Sequence, residues 1–252
     1  MLKPRIIPCL LIKNKGLTKT INFDNPTYIG DPINTVKIFN EKEVDEIIFL
    51  DIEASKDNIS PDFELIKDIA TECFMPVTYG GGIRNIEDVK KIINLGVEKI
   101  CINNHIINNP DFIKKLADEF GSQSIIASLD IKKDLFGNHK LYNHTTNKIT
   151  HIDPLDFAIK LANFGAGEIF LNSVDKDGTM NGYDIEIIKK ISSAVNIPLI
   201  ACGGAGKFQD FKNIINSGAS SAAAGSFFIF QGKHKAVLIT YPSAKEIEEL
   251  LK

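Results

Sequence analysis

A few charged residues and two glycine clusters account for most of the chemistry this sequence could perform. Asp130 closes the apolar run Ser124–Asp130, which would set a carboxylate at a strand's carboxyl end, able to give or take a proton. Helix capping or loop ordering is the competing use of such an aspartate. Asp177 lies in Val174-Asp-Lys-Asp-Gly-Thr179, where an Asx-type turn competes with ligand contact. Asp51 ends Glu46-Ile-Ile-Phe-Leu-Asp51 and suits a supporting position beside reacting groups. Gly80-Gly-Gly-Ile83 and Gly203-Gly-Ala-Gly206 each follow a short apolar run. Gly81, Gly82, Gly203 and Gly204 would let bare backbone amides approach an anion, because glycine has no Cβ to block a phosphate. With Asn103, Gly225 and Ser226 at neighbouring strand ends, and Gly178 after Asp177, they suggest two phosphate sites and a substrate that spans them. Plain tight turns are the bland alternative. Arg5, Glu46, Lys99 and Glu168 instead open strands, and in a barrel they would meet as a ring of two acids and two bases. Such a ring is either a stabilising plug or a gate on the axis.

The elements that must position these residues repeat. Glu46 and Glu168, Gly81 and Gly203, and Asn103 and Gly225 are each separated by 122 positions, the mark of a duplicated half-structure. Strands are expected at Arg5–Ile12, Glu46–Ile52, Pro76–Tyr79, Lys99–Ile102, Ser124–Asp130, Glu168–Ser173, Pro198–Cys202 and Ser221–Gly225. Helical patterns follow them, among them Ile86–Leu95, Pro154–Phe164, Ile185–Val195, Phe208–Asn216 and Ala244–Leu251. Residues 13 to 32 read as a long candidate active-site loop, and Lys132 to His151 as a hairpin excursion. Eight strands alternating with helices predict an α/β fold, a (β/α)8 TIM barrel with an internal half-barrel repeat, rather than a doubly wound open sheet. The domain is expected to be single over 1–252, with halves at about 1–122 and 123–252.

Composition excludes several function classes. With 44% hydrophobic residues the 252-residue chain can fill a barrel core. A formal net charge of −3 gives no footprint for nucleic acid or an anionic membrane surface. No apolar run has the length of a spanning helix, and the first residues show no secretion signal, so a cytoplasmic protein is expected. The four cysteines, Cys9, Cys73, Cys101 and Cys202, form no C-x-x-C pair and read as buried, reduced thiols. His105, His139, His144 and His151 fall in polar loops or helix starts without metal-ligand spacing, so neither metal nor cofactor is assigned.

The chain resembles the cyclase subunit of imidazole glycerol phosphate synthase. The resemblance rests on Arg5-Ile-Ile-Pro-Cys-Leu10, Gly30-Asp-Pro32, Phe49-Leu-Asp51, Gly80-Gly-Gly-Ile83, Ile102-Asn103, Phe120-Gly-Ser-Gln123, Gly165-Ala-Gly-Glu168, Asp175–Thr179, Gly182-Tyr-Asp184 and Gly203-Gly-Ala-Gly206. It implies a class I glutaminase docked on the amino-terminal face and ammonia passing Arg5, Glu46, Lys99 and Glu168 to a phosphorylated or nucleotide-linked small-molecule substrate. It also implies two catalytic aspartates. Asp130 matches one, but Leu11 stands at the other position. Asn172 replaces a threonine of the family pattern and Cys202 a serine, Lys19 is kept in an altered loop, and the segment Lys235–Pro242 departs from the usual last helix. Leu11 beside an intact charged ring makes the chain similar to the cyclase-like branch that accompanies sugar amidotransferases in surface-polysaccharide pathways. Ammonia would then go to an acetamido sugar. The alternatives are the histidine-pathway cyclase, with another group covering for Leu11, and a non-catalytic barrel that activates the glutaminase.

Overall fold

Eight apolar runs form parallel strands that hydrogen-bond in a closed ring, as seen in a computed structural model that describes residues 3–251. Met1, Leu2 and Lys252, the ends of the expected domain, lie outside the described residues. The barrel strands are β1 (Arg5–Lys13), β2 (Ile47–Asp51), β3 (Val77–Gly80), β4 (Lys99–Ile102), β5 (Ile125–Lys133), β6 (Glu168–Ser173), β7 (Leu199–Cys202) and β8 (Ser221–Ala224). Neighbours in sequence pair in parallel, and β8 pairs with β1, from Arg5 opposite Ser221 to Pro8 opposite Ala224. The fold is a (β/α)8 barrel.

Strand alternation divides the core in two. Ile7, Cys9, Ile48, Ile126, Phe170 and Ile200 point to the barrel axis and form an inner cluster. The intervening residues, such as Ile6, Leu10, Ile47, Phe49, Ile125 and Ile169, pack outward against the helices. The main helices are α1 (Pro32–Glu41), α2 (Phe63–Glu72), α3 (Ile86–Asn94), α4 (Asp111–Phe120), α5 (Pro154–Asn163), α6 (Ile185–Ser192), α7 (Phe208–Asn216) and α8 (Ala244–Leu251). Side-chain caps start several of them: Asp31, Asp62, Asn85 and Asp153 each accept from an amide of the first turn, and Pro32 and Pro154 follow two of these caps. The two halves echo each other after β4 and β8. There the short helices Asn104–Asn108 and Ser226–Ile229 begin from Asn103 (φ −118°, ψ −84°) and Gly225 (φ −107°, ψ −74°), nearly the same backbone shape.

Two expectations change. Residues 13 to 32 are mostly not a loop. Gly16–Ile21 and Asp24–Gly30 form an antiparallel hairpin that extends from β1, with Leu11 opposite Thr18. Its tight turns fall at Asn14-Lys15 and Asn22-Phe23, all four residues at positive φ, a geometry that usually calls for glycine and so left little trace in the sequence. β5 runs past Asp130 to Lys133 because His139–Asn143 pairs with its end. The hairpin excursion between 132 and 151 is present, with its last strand at Lys148–Ile149. Cys9, Cys101 and Cys202 are buried free thiols, whereas Cys73 is only half-buried. Among the described residues no helix is long and apolar enough to cross a membrane.

Candidate active site

The carboxyl ends of the strands enclose a cavity of about 300 Å³. It gathers residues that lie far apart in the chain: Leu11, Lys19, Asp51, Gly81, Gly82, Asn103, Asp130, Asp177, Gly178, Gly203, Gly204, Gly225 and Ser226 all line it. Asn172 and Cys202 line it too. Arg5, Glu46, Lys99 and Glu168 lie at the other end of the barrel.

One wall of the mouth is polar. Asp130 is 7% exposed, and its Oδ2 lies 3.5 Å from His144 Nδ1. It caps no helix. His144 comes from the turn after His139–Asn143, where the Asn143 carboxamide accepts from the Thr145 amide and hydroxyl. No spacing in the sequence singled out His144; it reaches the mouth only because the β5 excursion folds back. Asn103 Nδ2 donates to the Ser128 carbonyl (3.2 Å) and hydroxyl (3.3 Å). The Oδ1 atoms of Asn103 and Asn172 are buried without a partner, each a cost of about 1–3 kcal/mol in an otherwise well-paired interior. Cys9, Leu11, Leu50, Cys101 and Cys202 add apolar surface to the lining. Leu11 therefore faces the cavity at the position where the family resemblance implies an aspartate.

The other sequence candidates are bound into the frame of the mouth. Asp51 Oδ1 accepts from the amides of Glu53 and Ala54, 3.0 Å each, so it orders the loop after β2, and burial pushes its carboxyl up. Asp177 makes no Asx turn of its own. Its Oδ2 accepts from Thr20 Oγ1 (2.6 Å) and from the Phe23 amide (3.3 Å), which fastens the β1 hairpin over the mouth. Burial raises the Asp177 carboxyl despite these bonds and the nearby Lys19. Gly81 (φ +125°) and Gly204 (φ +112°) are also crowded: an added Cβ would come within 2.5 Å of the Asp51 carbonyl and 2.2 Å of the Gly182 carbonyl. The left-handed φ and the crowding together require glycine at both positions. The Gly82 amide donates to Ser55 Oγ at 3.2 Å, a bond that an incoming anion would have to exchange. Lys19 is 6% exposed and donates to the Cys9 carbonyl at 2.6 Å.

At the amino ends the four charged residues do meet. Arg5 bonds to both Glu46 and Glu168 through its guanidinium nitrogens, and its Nε donates to Ser221 Oγ at 2.9 Å. Lys99 Nζ lies 3.2 Å from Glu46 Oε1 and 2.6 Å from Glu168 Oε1. Thr78 Oγ1 also donates to Glu46, at 3.1 Å. Two acids and two bases cancel in charge. Burial opposes the ionisation of Glu168, but the hydrogen bonds and charges of Arg5 and Lys99 outweigh it and hold the carboxyl below the ordinary range. Outside the mouth, His139, Asp184 and Glu186 place potential ligand atoms within 4.8 Å of one another. His139 Nε2 is bonded to Asp184 at 2.9 Å, and Lys133 Nζ stands 3.6 Å from Glu186, so these groups already partner one another.

A family model described as histidine biosynthesis protein matches residues 5–235. The chain is similar to a Pseudomonas aeruginosa protein provisionally named imidazole glycerol phosphate synthase subunit hisF2, at 48% identity over 98% of this chain and 99% of that one. A Leptospira interrogans protein, provisionally named imidazole glycerol phosphate synthase subunit HisF, is 49% identical over 99% of both. The imidazole glycerol phosphate synthase subunit HisF of Alkaliphilus metalliredigens is 42% identical over 90% of this chain and 91% of its own length.

Proposed function

Since the chain belongs to the histidine biosynthesis protein family, as an imidazole glycerol phosphate synthase subunit of the HisF kind, we propose that it uses ammonia at the barrel mouth to close an imidazole ring on a bisphosphorylated nucleotide. The ring closure releases an aminoimidazole carboxamide nucleotide. The observation that carries this reading is the two-ended axis: a neutral charged ring at one end, a carboxylate-bearing mouth at the other, and apolar side chains between them. Neutral ammonia crosses such an interior far more readily than ammonium does, because an isolated charge is costly to bury. The glycine loops at Gly81-Gly82 and Gly203-Gly204, with Asn103 and with Gly178, Gly225 and Ser226, hold the two phosphates. Asp130 exchanges protons with the reacting centre, and His144 orients it. A glutaminase docks on the amino-terminal face, where Phe74, 86% exposed, stands in the loop that leads into β3.

The relatives' names favour this acceptor over the acetamido sugar that the sequence alone suggested. Leu11 is the observation that keeps the sugar as a second reading, because an apolar wall replaces an expected acid there. Ammonia-dependent turnover of the histidine-pathway bisphosphate nucleotide by the purified chain separates the two. Turnover of about 1 s⁻¹ or more supports the cyclase. An inert wild type whose Leu11→Asp variant gains turnover moves the acceptor to an amino sugar. Loss of activity in both, with glutaminase stimulation intact, would leave only an activating barrel.

A further inference from the structure

Lys19 is the one buried lysine among the described residues, and it has no carboxylate partner in an ion pair. Its strand, Gly16–Ile21, turns back along β1, and the side chain returns over the strand end to the Cys9 carbonyl, two residues before Leu11. Room for the ammonium is made on β8's side. A Cβ at Gly225 would lie 2.0 Å from Lys19 Nζ and 2.9 Å from the Cys9 carbonyl, so only glycine leaves that space open. Both Lys19 and Leu11 line the cavity, and β1 lies across the ring of strands from β5, which carries Asp130.

We propose that Lys19 exchanges protons with the ammonia acceptor on the β1 side of the mouth, the task that a carboxylate at position 11 would otherwise perform. The step rests on the proposed reading that ammonia meets a carbonyl carbon here. The nitrogen lone pair forms the C–N bond while the C=O π electrons move to oxygen. Lys19 gives a proton from Nζ to that oxygen, and its neutral amine then takes one from the new, positively charged nitrogen. The product is a carbinolamine, and Lys19 ends as it began. The surroundings suit this cycle. Burial disfavours the ammonium and lowers its affinity for the proton, against the opposing pull of Cys9 on β1, Asp177 from the loop after β6 and Cys202 on β7. A lysine whose ammonium is disfavoured by burial releases its proton more readily than one in water, which suits it to acid and base work.

The test compares Lys19→Arg and Lys19→Met, each with and without Leu11→Asp. Arginine keeps the charge but does not release its proton. Lys19→Arg should hold KM within a few-fold while kcat falls about 10²–10⁴-fold, and Leu11→Asp should restore at least tenfold of that loss. A Lys19→Arg enzyme with wild-type kcat, or one in which only KM changes, overturns the proposal. A second readout needs no acceptor: the NMR titration of ¹³C-methylated Nζ, assigned by the signal that Lys19→Met removes. Its midpoint should lie below those of the other lysines, and a midpoint at the ordinary value of about 10.4 overturns the proposal. A lowered midpoint in a chain that turns over no ammonia acceptor counts against the functional reading and not against Lys19.

Discussion

Replacing Glu46 alone should cost more stability than replacing Glu46 and Lys99 together. Glu46 is 2% exposed and accepts from Arg5, Lys99 and Thr78. In Glu46→Met, Arg5 and Lys99 face Glu168 alone, and the ring carries one uncompensated positive charge. Breaking a buried pair in this way costs roughly 3–5 kcal/mol. The Arg5 side chain keeps 26% exposure and Lys99 18%, so water can still reach the excess charge. That places the expected loss at the low end, about 3 kcal/mol. The double variant Glu46→Met with Lys99→Met keeps the Arg5–Glu168 pair, one charge of each sign, and fills the rest with apolar volume. Such replacements of a whole pair are close to neutral, so its stability should lie within about 1 kcal/mol of wild type. Urea unfolding followed by circular dichroism, at one pH and low salt, measures all four corners of the cycle. The coupling should be at least about 2 kcal/mol in favour of the double variant. If the double variant loses as much as the two single variants combined, the ring is not a balanced charge set and the reasoning fails.

Three further outcomes follow from the same geometry. Gly204→Ala combines a left-handed φ with a 2.2 Å approach to the Gly182 carbonyl, and denaturant melts should show a loss of roughly 2–4 kcal/mol; an unchanged midpoint would mean the loop relaxes freely. Asp177→Ala removes the two carboxylate bonds to the β1 hairpin and leaves the bonds from Asn22 to the Asp177 and Val174 carbonyls, so amides of residues 17 to 30 should exchange with solvent up to roughly tenfold faster while those of β6 stay protected; uniform protection would contradict the clamp. Glu168 has a folded pKa below its unfolded value near 4.5, so its contribution is complete above that pH and is lost as the pH falls through the folded value. Unfolding free energies from about pH 6 to about pH 3 should therefore drop more steeply for wild type than for Glu168→Gln, and parallel curves would remove the ion-pair explanation.

Much of the barrel was legible because its signals are local. Continuous apolar runs bounded by glycine or proline mark strands buried on both faces, and the bounds of Lys99–Ile102, Glu168–Ser173 and Phe208–Asn216 agree with expectation. The repeat spacing also gave the halves their correspondence, which Asn103 and Gly225 keep in their backbone angles. Charge at strand openings and glycine at strand ends were visible as patterns, and the barrel's geometry turns the first into a ring and gathers the second around a cavity.

Other features exist only through contacts between distant residues. The hairpin of residues 16 to 30 was hidden by turns built from asparagine, lysine and phenylalanine at positive φ, and it is held by Asp177, 157 positions from its partner Thr20. His144 reaches Asp130 by the fold-back of the β5 excursion, which no spacing announces. The sequence by itself determined that eight apolar runs become strands and which charged and glycine residues stand near their two ends, since those depend on neighbours along the chain. Whether Lys19 lies in solvent or sits buried over a strand end that lacks a carboxylate depends on how β1, β7 and β8 close around it. Only the tertiary structure decides that, because burial is a property of the closed barrel and not of any segment.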